Sequence, residues 1–274
     1  MNYYDNPAIS ASGLKLMQVP LVFWDKYINP NPPEKEEKDA MLRGSAFHAG
    51  FLEAGEFDNR YTVMPEGLHG SSNAAKEVKK LIKESGKKVL KPGEKSVIGI
   101  DRIKGMVESA HKHPISKLIF SLNPEIEKVF EWTDPETGEP CKMKADIYIA
   151  PCERLPRGLI VDPKSCDDAS KEWFHKSIKD QQMWIQAAFY TDGIKAIAGY
   201  EPDFLWLAQE YNRPYLNKYH PASPEIIAYG RREYRRLLNK YIECRSRNEW
   251  PGYDTTIEPL NMPKYLNDLL SNNP

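Results

Sequence analysis

The sequence predicts an α/β domain built on a central mixed sheet with helices on both faces, and three observations carry that prediction. Residues 1–120 show mainly helical periodicity. Residues 125–149 alternate as two strands around a tight turn. The continuous apolar runs Leu159-Ile160-Val161 and Phe204–Ala208 flank a long helical pattern. The order helix, strand, strand, strand, helix, strand makes the first two strands antiparallel in a sheet covered by helices.

Taken in order, Ile9–Gly13 leads into an apolar-periodic segment through Phe23 and Trp24, with Ser10 or Ser12 as N-cap. Residues 29–38 carry Pro30, Pro32 and Pro33 and read as a loop. A helix is expected from Ala40 to Leu52, where Gly44, Ser45 and Ala46 permit close approach to a neighbour and His48 falls among apolar positions. Residues 73–95 form the basic segment, with Lys76, Lys79 and Lys80 among eight lysines against three glutamates. A helix from Glu94 to His111 would bury Val97, Ile98, Ile100, Ile103 and Met106. Glu125–Trp132 and Cys141–Ile149 read as strands joined at Asp134–Gly138. In the second of them Met143, Ala145, Ile147 and Ile149 are expected on one face and Lys144, Asp146 and Tyr148 on the other. A further strand at 158–164, a helix from Lys179 to Ala198, a strand at Phe204–Ala208 and a helix from Pro224 to Arg245 complete the core. A short helix is expected near Tyr265–Leu270. No internal repeat or linker divides the chain, so residues 1–274 are taken as a single domain. Its parts are a helical portion (1–120), a sheet core (121–220), and a C-terminal helix and tail (221–274).

Composition narrows the classes. With 41% hydrophobic and 28% charged residues the chain resembles an ordinary globular protein, and 38 basic against 39 acidic residues leave no bulk charge for nucleic-acid binding. Any such surface must be local. No stretch approaches the ~18 apolar residues of a membrane span. The start Met1-Asn2-Tyr3-Tyr4-Asp5 lacks the features of a signal peptide. Cys141, Cys152, Cys166 and Cys244 form no Cys-x-x-Cys pair, which argues for reduced thiols, a cytoplasmic location and no structural zinc.

Chemistry concentrates in Gly158–Lys164. Asp162 and Lys164 follow the apolar run at once and share a strand face, and Asp146 lies sixteen positions upstream. Burying such charges is costly unless each has a partner or a metal ion. Two carboxylates ~4 Å apart repel by about 4 kcal/mol at an effective dielectric of 20. A divalent cation between them reverses the sign, and oxygen ligands select Mg²⁺ or Mn²⁺. Lys164 can orient an attacking water or stabilise negative charge on phosphorus. On this stretch alone, a plain surface turn at Asp162-Pro163 is the competing reading.

Asp146…Asp162-Pro163-Lys164 resembles the signature of PD-(D/E)XK nucleases. Arg43-Gly44-Ser45-Ala46-Phe47-His48 resembles the helix that supplies a metal-binding histidine in their RecB-like branch, and Gln186-Ala187-Ala188-Phe189-Tyr190 matches its Gln-x-x-x-Tyr helix. Ala8–Leu16, Asn73–Lys76, Gly86–Leu90 and Trp132–Gly138 further resemble RecE-type (exonuclease VIII) nuclease domains. The resemblance implies a restriction-endonuclease-like core. It implies His48, Asp146, Asp162 and the Pro163 carbonyl as metal ligands, joined by Glu127 in preference to Glu131. Lys164 would be the catalytic lysine, and Gln186 and Tyr190 would line the site and touch DNA. Arg43 would bind a phosphate, with Lys76, Lys79 and Lys80 as further backbone contacts. Also implied are Mg²⁺ (or Mn²⁺) dependence, 5′-to-3′ degradation of linear double-stranded DNA from its ends, phage-type recombination with a single-strand annealing recombinase, and a ring-shaped homo-oligomer, a tetramer. Proline at position 163 departs from the pattern and marks the place where a distorted strand is expected. His111, His113, His175 and His220 show no ligand spacing and are read as surface residues, and the arginines at 231–236 as a solvated face. The alternatives are a Cas4-like nuclease, disfavoured by the cysteine positions, and an inactive DNA-end-binding module.

Overall fold

The computed structural model describes residues 3–32, 38–65 and 73–262. Helices α1 (Ala11–Leu16) and α2 (Pro20–Tyr27) open it. The Ser10 hydroxyl accepts the Gly13 amide, so Ser10 is the cap. Helix α3 (Asp39–Leu52) lies where expected. Beyond it come elements that periodicity does not reveal: the single turn α4 (Phe57–Arg60) and a parallel pair, β1 (Tyr61–Val63) and β2 (Lys88–Leu90), separated by α5 (Asn73–Ser85). Three-residue strands are too short to display a period. Helix α6 (Ile100–Lys112) starts at Ile100 rather than Glu94, because turns occupy the preceding residues; Ile98, Ile103 and Met106 are buried, but Val97 is exposed. Helix α7 (Pro114–Ser121) leads into the sheet.

That sheet has five strands in chain order: β3 (Glu125–Thr133), β4 (Pro140–Ile149), β5 (Leu159–Cys166), β6 (Asp203–Glu210) and β7 (Asn217–Pro221). All neighbours are antiparallel except β5 and β6, so the sheet is mixed, as expected. Strand β7 went unrecognised because Asn-Lys-Tyr-His-Pro has one buried apolar side chain, Tyr219. The helix expected over Lys179–Ala198 is α9 (Met183–Ala198), which starts after a break at Gln182, whose φ of 49° is left-handed; a separate helix, α8 (Lys171–Asp180), precedes the break and is not evident from the sequence. Helix α10 (Pro224–Arg247) closes the fold. The helix expected near Tyr265–Leu270 lies outside the described residues, as does part of the loop at 29–38.

Two cores cover opposite sheet faces. Phe174, Phe189, Trp206, Tyr234 and Leu237 build one beneath α8, α9 and α10, and Phe47, Phe51, Met106, Val161 and Leu207 build the other beneath α3 and α6. Of the arginines at 231–236, Arg232 and Arg236 are exposed as expected, whereas Arg231 and Arg235 are structural. Arg231 forks onto Asp192 and also reaches Glu201, and Arg235 holds Asp134 through two bonds of 2.7 and 2.6 Å, fastening α10 to α9 and to the β3–β4 turn. Among the described histidines outside the site, only His175 is fully surface-exposed. His220 stacks on Phe174, His111 lies against Phe51, and His113 caps α7.

At the α9–α10 crossing Gly230 is required by contact: a Cβ there would stand 2.1 Å from the Trp184 carbonyl oxygen. Gly230→Ala should therefore destabilise the fold by about 1–3 kcal/mol or more through overpacking, read as a lower urea midpoint.

Candidate active site

The site occupies a place where the sheet parts. The β4–β5 ladder runs from Ile149↔Leu159 to Ile147↔Val161 and stops, while β5 continues in register along β6 through Pro163↔Leu207 to Cys166↔Glu210. Beyond the split, Asp146 on β4 and Pro163 and Lys164 on β5 line a cleft of about 890 Å³. The other end of β4 is flanked by Ile9, which pairs beside Cys141.

Opposite Asp146, Glu127 has a φ of 53°, a left-handed conformation that costs a non-glycine residue about 1–3 kcal/mol. Neither residue takes a register partner, yet Ile126↔Ile147 and Lys128↔Ala145 keep the same offset on either side. Side-chain alternation slips by one there. Met143, Ala145 and Tyr148 pack in the α9 core, whereas Ile147 and Ile149 pack in the α3 core. This corrects the expectation that Met143, Ala145, Ile147 and Ile149 share one face, and it moves the expected distortion from Pro163 to Glu127. Strand β5 itself is undistorted for a definable reason. The carbonyls of Gly158 and Cys166 bond toward the β6 side, to the Asp203 and Tyr211 amides. By alternation Pro163 faces the opposite way, where no ladder requires its missing N–H.

His48 comes to this opening from α3. Its Nε2–H donates to the Pro163 carbonyl at 2.6 Å, which leaves Nδ1 3.8 Å from Asp146 Oδ2. Burial first, then the Lys164 charge, lowers the imidazole pKa, which favours the neutral ring that a metal ion requires. Ligand atoms of His48, Glu127 and Asp146 lie within 4.8 Å of one another. Glu131 instead accepts from Asn6 on the surface. Asp162 stands behind the triad, 2% exposed: Oδ1 takes Lys164 Nζ at 2.6 Å and Gln186 Nε2 at 2.8 Å, and Oδ2 has no partner. Burial, then the neighbouring Asp162 charge, raises the Asp146 pKa well above the carboxylate range. Burial alone would lower that of Lys164, but Asp162 and Asp146 outweigh it and keep the ammonium charged. An orphaned carboxylate oxygen, crowded acids and an N/O donor set suit a hard divalent cation.

The other sequence-derived candidates fall around this centre. Gln186 holds Asp162, and Tyr190 donates to the Lys144 carbonyl at 3.2 Å, where β4 has no β5 partner. Both therefore brace the site from the α9 core, and Tyr190 is buried rather than facing the cleft. Arg43 lines the cleft, 7% exposed, its guanidinium 3.5 Å over the Tyr211 ring and its Nε without a partner. Lys76 and Lys80 are exposed on α5, away from the cleft lining, and the Lys79 side chain lies outside the described residues. Sequence reasoning missed two basic groups. Lys144 pairs with Glu127. Lys15 on α1 has its pKa lowered to about 8, by burial first and then by Lys164. A lysine five residues past a helix cap carries no signal of its own.

The fold and this constellation define the PD-(D/E)XK class of metal-dependent phosphodiesterase architecture. The chain belongs to the family described as PDDEXK-like domain of unknown function (DUF3799), which matches residues 21–261. Among solved structures, a "putative exonuclease" from Eubacterium rectale is 14% identical over 99% of this chain and 98% of that one, with a TM-score of 0.65, a likeness of fold. The structure of SSO0001 is 13% identical over 82% of this chain and 84% of that one at a TM-score of 0.30, which carries no argument. No curated protein matches the chain. Family and geometry together support a nuclease that uses a divalent metal.

Two expectations follow. The raised pKa of Asp146 means that the folded, metal-free protein binds more protons than the unfolded chain, so its stability is fullest below the ordinary aspartate pKa and declines as pH rises through the raised value. Asp146→Asn should stabilise the metal-free protein at pH 7 by about 1–3 kcal/mol and abolish the rise in Tm that Mg²⁺ or Mn²⁺ gives the wild type, as measured by calorimetry at pH 5 and 8. Gln186→Leu, which strips one bond from Asp162, should weaken metal affinity or cleavage about 10- to 100-fold without unfolding the protein, as read by metal titration and nuclease assay.

Proposed function

We propose that the protein is a Mg²⁺- or Mn²⁺-dependent exodeoxyribonuclease that hydrolyses linear double-stranded DNA from its ends. The observation that carries this reading is the convergence of His48, Glu127 and Asp146 within 4.8 Å, beside a buried Asp162 with an unpartnered oxygen and a charged Lys164. His48, Glu127, Asp146 and Asp162 would hold the ion, which supplies Lewis-acid neutralisation of the phosphate and an acidified water. The Pro163 carbonyl, at the same opening, is engaged by His48.

The chain's own residues do the rest. Lys164, fixed by Asp162, offers its ammonium to the attacking water and to the charge that develops on phosphorus; such a donor contributes about 10²–10³ in rate. Gln186 fixes the orientation of Asp162, and Tyr190 takes up the Lys144 carbonyl where β4 has no β5 partner. Arg43, stacked and short of acceptors, is placed to take a neighbouring phosphate. The finer points rest on the sequence resemblance to RecE-type nucleases. They are a single nuclease domain over 1–274, 5′-to-3′ polarity, a cytoplasmic phage-type recombination role beside an annealing recombinase, and a ring-shaped homo-oligomer. Among the described residues no helix is long and apolar enough to cross a membrane. The inactive end-binding alternative would be favoured by a missing site residue, and none is missing.

Linear 5′-phosphorylated duplex, circular duplex and linear duplex in EDTA form the decisive comparison. Nucleotides should be released from the first alone. Asp162→Ala should abolish release while DNA binding persists, and normal digestion by that variant would show that the site is misplaced.

A further inference from the structure

Helix α8 has two unlike faces. Phe174 and Ile178 bury into the core, whereas Trp173, Lys176, Ser177 and Asp180 line the cleft. Trp173 is 55% exposed. The other five tryptophans, all among the described residues, are buried or half-buried. Its neighbour Phe174 is 1% exposed and stacked on His220, so the helix is anchored and the indole is presented from a fixed base. The Lys176 ammonium lies 5.3 Å from the centre of the indole ring. A large aromatic face with a cation beside it, in the wall of a catalytic cleft, has the chemistry of a nucleobase platform with an adjacent phosphate contact.

The depth of the centre says which form of DNA needs such a platform. His48 and Asp146 line a cleft of about 890 Å³ with side chains only 26% and 15% exposed, and Asp162 behind them is 2% exposed. A volume of that order suits a ligand of a few linked rings. A strand still paired to its complement would have to bring the second strand along. We propose that Trp173 is the stacking platform for an unpaired base of the strand that enters the cleft, so that the substrate is engaged as a frayed or single-stranded end. This rests on the nuclease reading above and adds a specificity-determining residue to it.

The test pairs Trp173→Ala and Trp173→Phe with the wild type. Each is titrated, with Ca²⁺ in place of Mg²⁺, against a duplex whose terminal bases are mismatched and carry 2-aminopurine. Stacking should quench that fluorophore in the wild type and in Trp173→Phe. The alanine variant should lose the quenching and bind roughly 5- to 100-fold more weakly, with its Tm unchanged because the side chain is exposed. With Mg²⁺, the wild type should cut the frayed end faster than the blunt one, and Trp173→Ala should raise KM on the frayed end far more than it lowers kcat. Equal quenching and equal KM in the alanine variant would overturn the proposal while leaving the nuclease reading intact. Loss of binding with quenching unaltered would also overturn it, because the indole would then be contacting something other than the base. If the wild type releases no nucleotides from any DNA with Mg²⁺ or Mn²⁺, the underlying reading has failed instead.

Discussion

A carboxylate that is almost wholly buried has to be satisfied from its own surroundings, and much of the architecture around Asp162 answers that requirement. Lys164 reaches it because the two residues share a strand face, and Gln186 reaches it because α9 crosses that same face. The lysine and the amide occupy one oxygen and leave the other directed at no protein donor. Removing either partner would leave a buried charge less compensated, so the lysine and the glutamine serve folding as well as chemistry.

The same requirement explains why strain is found on β3 instead of β5. The acids must stand clear of a sheet that otherwise pairs continuously. The backbone achieves this by leaving Glu127 and Asp146 out of the ladder together, with equal slips on both strands and no change of register. The cost is a left-handed glutamate, offset by its ion pair to Lys144 and by the hydroxyl of Tyr190 on the neighbouring carbonyl. A binding centre is thereby supplied from both sides of the sheet, with His48 arriving from one core and Gln186 from the other.

Much of this was legible in the sequence, and the pattern of what was not is physical. Asp162 and Lys164 could be singled out because charges at the end of an apolar strand have few structural uses, whereas His48 and Glu127 were reached only through the resemblance to RecB-like nucleases; the fold brings all of them, with Asp146, to one opening. Strands β3 to β6 and helix α10 could be placed because each is long enough to display its period. Strands β1, β2 and β7 escaped because they expose too few alternating positions. The α8–α9 break escaped because nothing about Gln182 announces a left-handed backbone. The roles of Arg231 and Arg235 escaped because their partners, Asp192 and Asp134, lie on other elements far along the chain. The Gln-x-x-x-Tyr spacing correctly placed both side chains on one helix face, but only the fold shows that this face looks at the back of the strands.

Pro163 bears on more than its own strand. Its ring nitrogen faces the opening, so the β4–β5 ladder cannot be extended there by an amide hydrogen bond from that residue, whatever the temperature or solvent. Here part of the opening is written into covalent structure, which makes it a permanent property of the chain.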